Sequence, residues 1–265
     1  MNRQQASRIW TTLRAEALQR SIDEPVLASF YHGSVLCHAS LESALVAVLA
    51  VRLSTDMLTP VLFGEILGEA AALDAGIGLA ACADLLAHRR RDPACDALVL
   101  PFLGFKGFHA LQTYRFAHAF WGSGRFWLAS LLQSRASVCF GVDIHPAAII
   151  GRGIMIDHGT GIVIGETSGV GDDVSMLHGV TLGGSGLTSG QRHPIVGNGV
   201  LFGAGAKALG PVNIGEGARI GAGSVVLDDV PPHVTAAGVP ARVVGKAGAP
   251  APALEMDQCF GNAPT

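Results

Sequence analysis

The hydrophobic residues of this chain follow two different periods, one in each half. Over residues 8–132 they recur at helical spacing, with polar residues between them. One such run is Leu41, Ala44, Leu45, Val48 and Leu49. Ser40 before this run, and Thr59 before Pro60, are residue types that cap the first turn of a helix. The first half of the chain is therefore predicted to be α-helical.

After Gly141 the apolar residues recur every six positions. The three runs are Ile144, Ile150, Ile156 and Ile162; Ile164, Val170, Met176 and Leu182; and Val196, Phe202, Ala208, Ile214, Ile220 and Val226. Neither a strand with period 2 nor a helix with period 3.6 gives this spacing. It fits a β-solenoid in which each hexad forms a short strand and a turn, with three hexads to a triangular coil. The runs predict about four coils of roughly 18 residues, and the apolar members fill the prism.

The pattern predicts an α+β chain with three parts. Residues 1–140 form an α-helical oligomerisation domain, residues 141–246 a parallel β-helix, and residues 247–265 a flexible tail rich in Ala and Pro without a hexad. Hexad prisms of this type resemble the left-handed parallel β-helix of the hexapeptide-repeat acyltransferases. The segment GSGLTSGQRHP interrupts the hexads, and a loop on a rigid scaffold is a common place for functional residues.

Composition and charge exclude several classes of function. The 18 basic and 21 acidic residues give a net charge of −3, which provides no electrostatic surface for nucleic acid or an anionic membrane. The N-terminus lacks the layout of a signal peptide, and the run 44–51 is too short to span a bilayer. The cysteines are odd in number, without CxxC spacing: Cys37, Cys82, Cys95, Cys139 and Cys259. A cytoplasmic protein with reduced, structural thiols is expected.

The histidines of the second half are the candidate general bases. An alcohol is a poor nucleophile until its proton is being removed, and imidazole is suited to that step at neutral pH. Four histidines lie near repeat edges or in the loop: His145, His158, His178 and His193. Asp157 directly precedes His158, and Asp143 lies 15 residues upstream. In a coil of about 18 residues such a spacing falls on neighbouring stacked edges, so Asp143 could orient the His158 imidazole.

Charged residues suggest an amino-acid acceptor. Arg192 in the loop can bind a carboxylate through two hydrogen bonds, and His193 adds a second imidazole. The ammonium group of such a substrate requires carboxylates, and Asp157 and Asp92 are available. For Asp92 the alternative is a plain helix cap in an Asp-Pro turn, which spacing alone favours.

Long strings make the chain similar to one known family. They are RDPA, KGFHALQTYR, VDIHPAAIIGRGIMIDHGTGIVIGET, VTLGG, RHP, GAGAKALG, IGAGSVVL and VPPHVTAAGVPARVVGK. The chain resembles bacterial serine O-acetyltransferase from near its N-terminus to about Asp257. The resemblance implies transfer of acetyl from acetyl-CoA to L-serine in cysteine biosynthesis, without a metal. It also implies that His158 is the general base paired with Asp143, with His193 as a further catalytic residue. Contacts with serine are implied for Asp92, Asp157, Arg192 and His193 and, more weakly, for Glu166.

The resemblance further implies a cofactor site and partners. Acetyl-CoA is expected along the prism beside the small residues Gly184, Ala204 and Ala222, with Thr235, Arg242 and Lys246 near its nucleotide end. A homo-oligomer built as a dimer of trimers, with active sites between subunits, is implied, as is feedback inhibition by L-cysteine. Family members typically end in an isoleucine that docks into O-acetylserine sulfhydrylase. The printed sequence ends in Thr265, so weak or no binding to that enzyme is expected.

Three alternatives remain at the level of sequence. Hexapeptide prisms can hold zinc between subunits with three imidazoles, as in γ-class carbonic anhydrases, although Arg192 and Asp157 favour an amino-acid site. A catalytically inactive scaffold is disfavoured by Asp143, His158 and His193. An acetyltransferase acting on homoserine or a sugar is the closest competitor. The mechanism expected is direct transfer, since the cysteines lie outside the strings nearest to the base.

Overall fold

The chain forms two compact units, Met1–Phe140 and the part from Gly141 onward, in the computed structural model, which describes residues 1–186 and 190–258. The first unit is helical. Its helices are α1 (Arg3–Asp23), α2 (Ala28–Tyr31), α3 (Leu41–Leu53), α4 (Pro60–Leu73), α5 (Ile77–Arg91), α6 (Val99–Gly104), α7 (Lys106–Gly122) and α8 (Phe126–Phe140), with a 3₁₀ turn at Pro25–Leu27 and a π-helical turn at His32–Leu36. The predicted caps are confirmed, because Ser40 accepts a hydrogen bond from the Ser43 amide and Thr59 from the Leu62 amide.

A buried polar cluster connects α5 to α7. The carboxylate of Asp84 is fully buried and accepts hydrogen bonds from Arg115 Nη2 at 2.8 Å and from Gln112 Nε2 at 3.0 Å. Removing Arg115 would leave the buried charge of Asp84 without its ion-pair partner, which costs far more than the pair contributes. The cluster therefore fixes the relative position of the two helices.

His88, one turn after Asp84 on α5, is buried among aromatic rings. Its ring centroid lies 5.6 Å from that of Phe105 and 6.3 Å from that of Phe108. Within residues 1–186 and 190–258 neither ring nitrogen has a hydrogen-bond partner. Burial lowers the pKa of His88 to about 3, and the charges of Arg91 and His109 act in the same direction. His88 is therefore neutral in the folded protein at neutral pH.

Acid should destabilise the helical unit through His88. Its pKa is about 3 when folded and near the ordinary 6.5 when unfolded, so the unfolded chain binds this proton first. The contribution of His88 to the free energy of unfolding is fully present above pH 6.5 and declines as the pH falls towards 3. Between pH 7 and pH 5 the loss from this residue is about 2 kcal/mol. His88→Leu should remove that part of the pH dependence in urea denaturation followed by circular dichroism.

The control for this experiment is His32→Gln, at an exposed histidine of the same unit, which should keep the wild-type pH dependence. An equal loss of unfolding free energy in wild type and His88→Leu would contradict the role of His88.

The second unit is a solenoid of short strands. They are β1 (Val142–Ile144), β2 (Ile149–Ile150), β3 (Met155–Ile156), β4 (Ile162–Ile164), β5 (Gly169–Val170), β6 (Ser175–Met176), β7 (Thr181–Gly183), β8 (Ile195–Val196), β9 (Leu201–Phe202), β10 (Lys207–Leu209), β11 (Asn213–Ile214), β12 (Arg219–Ile220), β13 (Val225–Val226), β14 (Val234–Gly238) and β15 (Ala241–Lys246). The first face stacks β1, β4, β7, β10 and β13, the second β2, β5, β8 and β11, and the third β3, β6, β9, β12, β14 and β15. The stacking is parallel except for β15, which pairs antiparallel with β14. Four complete coils and part of a fifth result.

The hexad positions form the interior of this solenoid, as the period predicted. All the predicted positions are buried except Ile150, which is half-buried. Ile164 stacks on Leu182, 18 residues later, and Ile144 stacks on Ile164, 20 residues later. Leu182 stacks on Ala208, 26 residues later, because the interrupting loop lies between them. The two-residue phase shift in the sequence is thus one longer coil.

Residues 247–258 pack against the solenoid, which differs from the flexible tail expected there. Helix α9 (Pro252–Glu255) buries Ala253 against Leu177 and Leu201. Ser175 Oγ donates to the Ala253 carbonyl at 3.0 Å, and Arg219 Nη1 donates to the Asp257 carboxylate at 3.0 Å. Composition predicted flexibility because the segment has no hexad, but its few apolar and polar groups match partners on the third face. Residues 259–265, with Cys259 and the end of the predicted tail, lie outside the described residues.

Within the described ranges, no individual helix has the length and apolar character needed to cross a bilayer. Helices α4 and α5 would reach that length only as a pair, and they are bent by 100° at the break between them.

Candidate active site

His158 lies at the corner where the third face passes into the first, between β3 and β4. We call this the His158 corner. Ile156, Met176, Phe202 and Ile220 are stacked on the third face, and the residue two positions after each of them lies at this corner. The corner therefore holds one residue from each successive coil: His158, His178, Ala204 and Ala222. Backbone hydrogen bonds connect the coils at this corner. The Gly205 amide donates to the His178 carbonyl and the Gly223 amide donates to the Ala204 carbonyl, both at 2.8 Å.

The His158 side chain is presented to solvent beside a carboxylate. Its backbone has φ +57°, a left-handed conformation that is uncommon outside glycine and is often found at functional sites. The side chain is 73% exposed, and Nε2 lies 3.6 Å from an oxygen of Asp157. The ring of His178 stands edge to face with it, at a centroid distance of 5.9 Å. An accessible nitrogen next to a carboxylate is the arrangement expected for a base that handles an amino-acid hydroxyl.

Asp143 projects from β1 on the first face. It is half-buried between Val142 and Ile144, which point into the core. The Gly161 amide donates to the Gly141 carbonyl at 2.7 Å. Strand β1 therefore begins beside Gly161, the residue just before β4, in the coil next to it. The pairing of Asp143 with His158 stays a prediction.

A second cluster lies at the corner between the first and second faces, which we call the loop corner. The interrupting loop returns to the prism here through Arg192 and His193. Arg192 forms an ion pair with Glu166. The His193 imidazole packs against Gly165, where a Cβ would come within 2.0 Å of the ring, and approaches Gly184, where a Cβ would come within 3.0 Å of Nε2. Glycine at position 165 is therefore required for His193 to occupy this place, whereas a side chain at position 184 would displace the ring slightly.

The charges of the loop corner act on one another. A hydrogen bond from Arg192 lowers the pKa of Glu166, so that carboxylate remains ionised. Burial lowers the pKa of His193, and the positive charge of Arg192 adds to this effect. Burial also lowers the pKa of His145, against the opposing influence of Glu166 and Asp143. At neutral pH the corner thus holds a cation, a carboxylate and two neutral imidazoles.

Within one chain the two corners are separate. Strand β4 of the first face lies between the end of the His158 corner and Gly165 of the loop corner, which is about 10 Å of extended backbone. The structure brings Asp157 to His158, and it brings Glu166 and Arg192 to His193. A single prism therefore presents two half-sites.

The predicted acetyl-CoA residues have different surroundings. Ala204 and Ala222 lie on the His158 corner, in line with the base, whereas Gly184 lies against His193. The Thr235 side chain is buried, with its hydroxyl accepting from Arg219 and donating to the Lys246 carbonyl. Arg242 is exposed and pairs with Asp228. These cofactor contacts remain predictions, and any contact from Thr235 would have to come from its backbone.

Asp92 lies in the helical unit, as the C-cap residue of α5. One of its side-chain oxygens accepts from the Ala94 amide at 2.8 Å, which is the capping geometry expected for an Asp-Pro turn. Its contact with a substrate stays a prediction.

Among the described cysteines, all of which lie in the helical unit, two are buried with raised pKa values. Burial raises the pKa of Cys82 to about 12 and that of Cys95 to about 11. Neither thiol is suited to act as a nucleophile at neutral pH.

Sequence reasoning missed Thr167 and did not assign His145. Thr167 lies at the centre of the loop corner, where its hydroxyl accepts from the amides of both Arg192 and His193 at 3.1 Å. Its position directly after Glu166, within a string shared with the family, was the available signal. In the described ranges, no three or more His, Cys, Asp or Glu side chains are arranged to hold a metal ion.

Comparisons with known proteins agree with this fold. The family described as "Serine acetyltransferase, N-terminal" matches residues 9–113, and "Bacterial transferase hexapeptide (six repeats)" matches residues 193–228. The serine acetyltransferase of Salmonella typhimurium is 54% identical over 252 residues, covering 95% of this chain and 92% of the relative. The crystal structure of serine acetyltransferase from Vibrio cholerae has a TM-score of 0.94 at 53% identity, covering 96% of this chain and 98% of that one.

Similar solved structures contain ligands. One serine acetyltransferase in complex with cysteine has a TM-score of 0.94 at 49% identity, covering 96% of this chain and 99% of that chain. Another, in complex with CoA, has a TM-score of 0.86 at 49% identity, covering 89% and 99% of the two chains. The Neisseria gonorrhoeae enzyme in complex with serine has a TM-score of 0.86 at 50% identity, covering 88% and 96%. With identities of this size over nearly its whole length, the chain belongs to the serine acetyltransferase family of acyltransferases.

Proposed function

We propose that this chain transfers the acetyl group of acetyl-CoA directly to the hydroxyl of L-serine, with His158 as the general base. The observation that carries the proposal is the 3.6 Å between His158 Nε2 and the Asp157 carboxylate. The hydroxyl oxygen of serine is three bonds from its ammonium nitrogen. A serine whose ammonium binds Asp157 therefore has its hydroxyl within hydrogen-bond reach of Nε2. Relatives solved in complex with serine and with CoA support the choice of substrates.

The reaction follows from these positions. The serine Oγ attacks the thioester carbon while its proton moves to His158 Nε2. The carbon–sulfur bond then breaks and its electron pair goes to sulfur. His158 transfers its proton to the CoA thiolate, which gives free CoA. Asp143 would stabilise the imidazolium that forms in between. No covalent acetyl-enzyme is needed.

The carboxylate of serine requires a partner from the loop corner. Arg192 provides the cation, with Glu166 holding one side of its guanidinium and the remaining N–H groups able to donate. Because β4 separates the loop corner from the His158 corner in one chain, we infer that each active site combines the His158 corner of one copy with the loop corner of the next. Head-to-tail contacts of this kind close into rings such as trimers.

The outer faces of the solenoid are consistent with such packing. Large apolar side chains point outward from the strands: Ile149 is 70% exposed, Ile195 41% and Val163 40%. Large exposed apolar side chains on regular faces are consistent with a protein interface. We propose that three prisms form a trimer and that two trimers join through their helical domains into a hexamer.

Acetyl-CoA would extend along the His158 corner. Its thioester would lie near His158, and its pantetheine arm would pass Ala204 and Ala222, whose small side chains leave the corner open. The nucleotide end would then reach the last coils, where Arg242 and Lys246 are exposed. L-cysteine has a thiol in place of the serine hydroxyl, so it would make the same contacts through its ammonium group and carboxylate and would compete with serine. The relative captured with cysteine supports this role.

L-serine should be much the best acceptor for this enzyme. Free thiol released from acetyl-CoA can be measured with L-serine, L-homoserine, L-threonine and a simple sugar. Homoserine has one more methylene, which moves its hydroxyl away from His158 Nε2 when the ammonium binds Asp157. A preference for homoserine or the sugar would overturn the proposed acceptor.

A further inference from the structure

One hydrogen-bond arrangement at the loop corner determines which nitrogen of His193 carries its hydrogen. The backbone amide of Thr167 lies 3.2 Å from His193 Nδ1 and donates to it. A backbone amide can only donate, so Nδ1 must be an acceptor. A neutral imidazole with an acceptor at Nδ1 has its hydrogen on Nε2.

The Thr167 hydroxyl reinforces this state. Its oxygen accepts from the amides of Arg192 and His193, both at 3.1 Å, and lies 2.9 Å from Nδ1. With both lone pairs occupied, the hydroxyl has only its hydrogen left to offer, and Nδ1 is the acceptor within reach. Two donors therefore converge on one ring nitrogen.

A protonated His193 does not fit this arrangement. The imidazolium would place an N–H group against the two donors of Thr167. The titratable groups that face the ring are Arg192, which opposes protonation, Glu166, which favours it, and His145, which opposes it when protonated. Burial adds to the opposition, since His193 is only 8% exposed.

We propose that Thr167 is a positioning residue that holds His193 as a neutral imidazole with its hydrogen on Nε2. In this state His193 donates a hydrogen bond to the substrate carboxylate beside Arg192 and does not act as a base. The contact of His193 with serine rests on the proposed function. The inference deepens it by assigning the hydrogen to Nε2 and by giving Thr167 the role of holding the ring in that state.

Nitrogen-15 NMR of enzyme labelled only at histidine tests the tautomer directly. The His193 signals, assigned by their loss in His193→Gln, should show a bare Nδ1 and a protonated Nε2 at neutral pH. They should stay so as the pH falls through the ordinary imidazole pKa of about 6.5. A charged ring at neutral pH, or hydrogen on Nδ1, would overturn the proposal. Because this readout needs no turnover, it is independent of whether the chain acetylates serine.

A matched pair of variants tests the positioning role. Thr167→Ser keeps the hydroxyl and should retain the wild-type KM for serine. Thr167→Val has nearly the same volume without the hydroxyl, and it should raise that KM about tenfold, the loss expected when a hydrogen bond to a charged group is weakened. The His193 signals in Thr167→Val should also titrate at a higher pH than in wild type. Equal KM values and equal titration in the two variants would contradict the role of Thr167.

Discussion

Replacing His158 by alanine should lower kcat by about two to four orders of magnitude, which is the usual contribution of a positioned general base. The proton of the serine hydroxyl would then have no acceptor at the point of attack, while Asp157 would still bind the ammonium group. The KM for serine should therefore change much less than kcat. Steady-state kinetics on the purified variant would separate the two effects.

The left-handed backbone at His158 requires a second variant. Alanine is strained at φ +57°, so His158→Ala could lose activity through a distorted corner. Asparagine tolerates this conformation and is no base at neutral pH, so His158→Asn should lose as much activity with the corner intact. Asp143→Asn should cost less than either, because Asp143 stabilises the base without moving a proton. A folded His158→Asn enzyme with near-normal kcat would remove His158 from its role.

Two impaired variants should restore one another when co-expressed and assayed at a serine concentration well below the wild-type KM. If each site takes its His158 corner from one subunit and its loop corner from the next, His158→Ala and His193→Ala subunits damage opposite halves. Random mixing in a ring leaves about one quarter of the sites with both halves intact. Co-expression in equal amounts should therefore give about a quarter of wild-type activity, with a hexamer mass by light scattering.

The control for complementation combines two changes at the same corner. His158→Ala and Asp157→Ala subunits leave no intact His158 corner, so their co-expression should give no gain over the average of the separate variants. The same absence of gain with His158→Ala and His193→Ala would show that each site lies within one chain.

The sequence predicted most of the scaffold because hexads and helical periods are determined by local repetition. It also predicted His158, Arg192 and His193 as functional residues. In the structure, Asp157 lies beside His158 at one corner, and Glu166 lies beside Arg192 at the other. Thr167 was missed because its role depends on a loop returning over 25 residues, which no period encodes. The packing of residues 252–257 was missed for the same reason, since Ala253 and Asp257 find their partners at Ser175 and Arg219, far back in the chain.

The separation of the two corners also had no signal in the sequence. Spacing places His158 and His193 near coil edges, but a triangular coil has three edges, and the loop length determines which edge the chain returns to. The loop leaves β7 on the first face and returns at β8 on the second, which assigns His193 to a different corner from His158. Composition and period are insensitive to that difference.

Isotope exchange distinguishes direct transfer of acetyl from CoA to serine from transfer through an acetyl-enzyme. Acetyl-CoA and labelled CoA are incubated with the enzyme in the absence of serine, and label in the acetyl-CoA pool is measured over time. A covalent acetyl-enzyme would form and reverse without serine, moving label into acetyl-CoA at a rate comparable to turnover. With His158 as base and no nucleophile on the protein, we expect no exchange until serine is present. Rapid exchange without serine would contradict direct transfer.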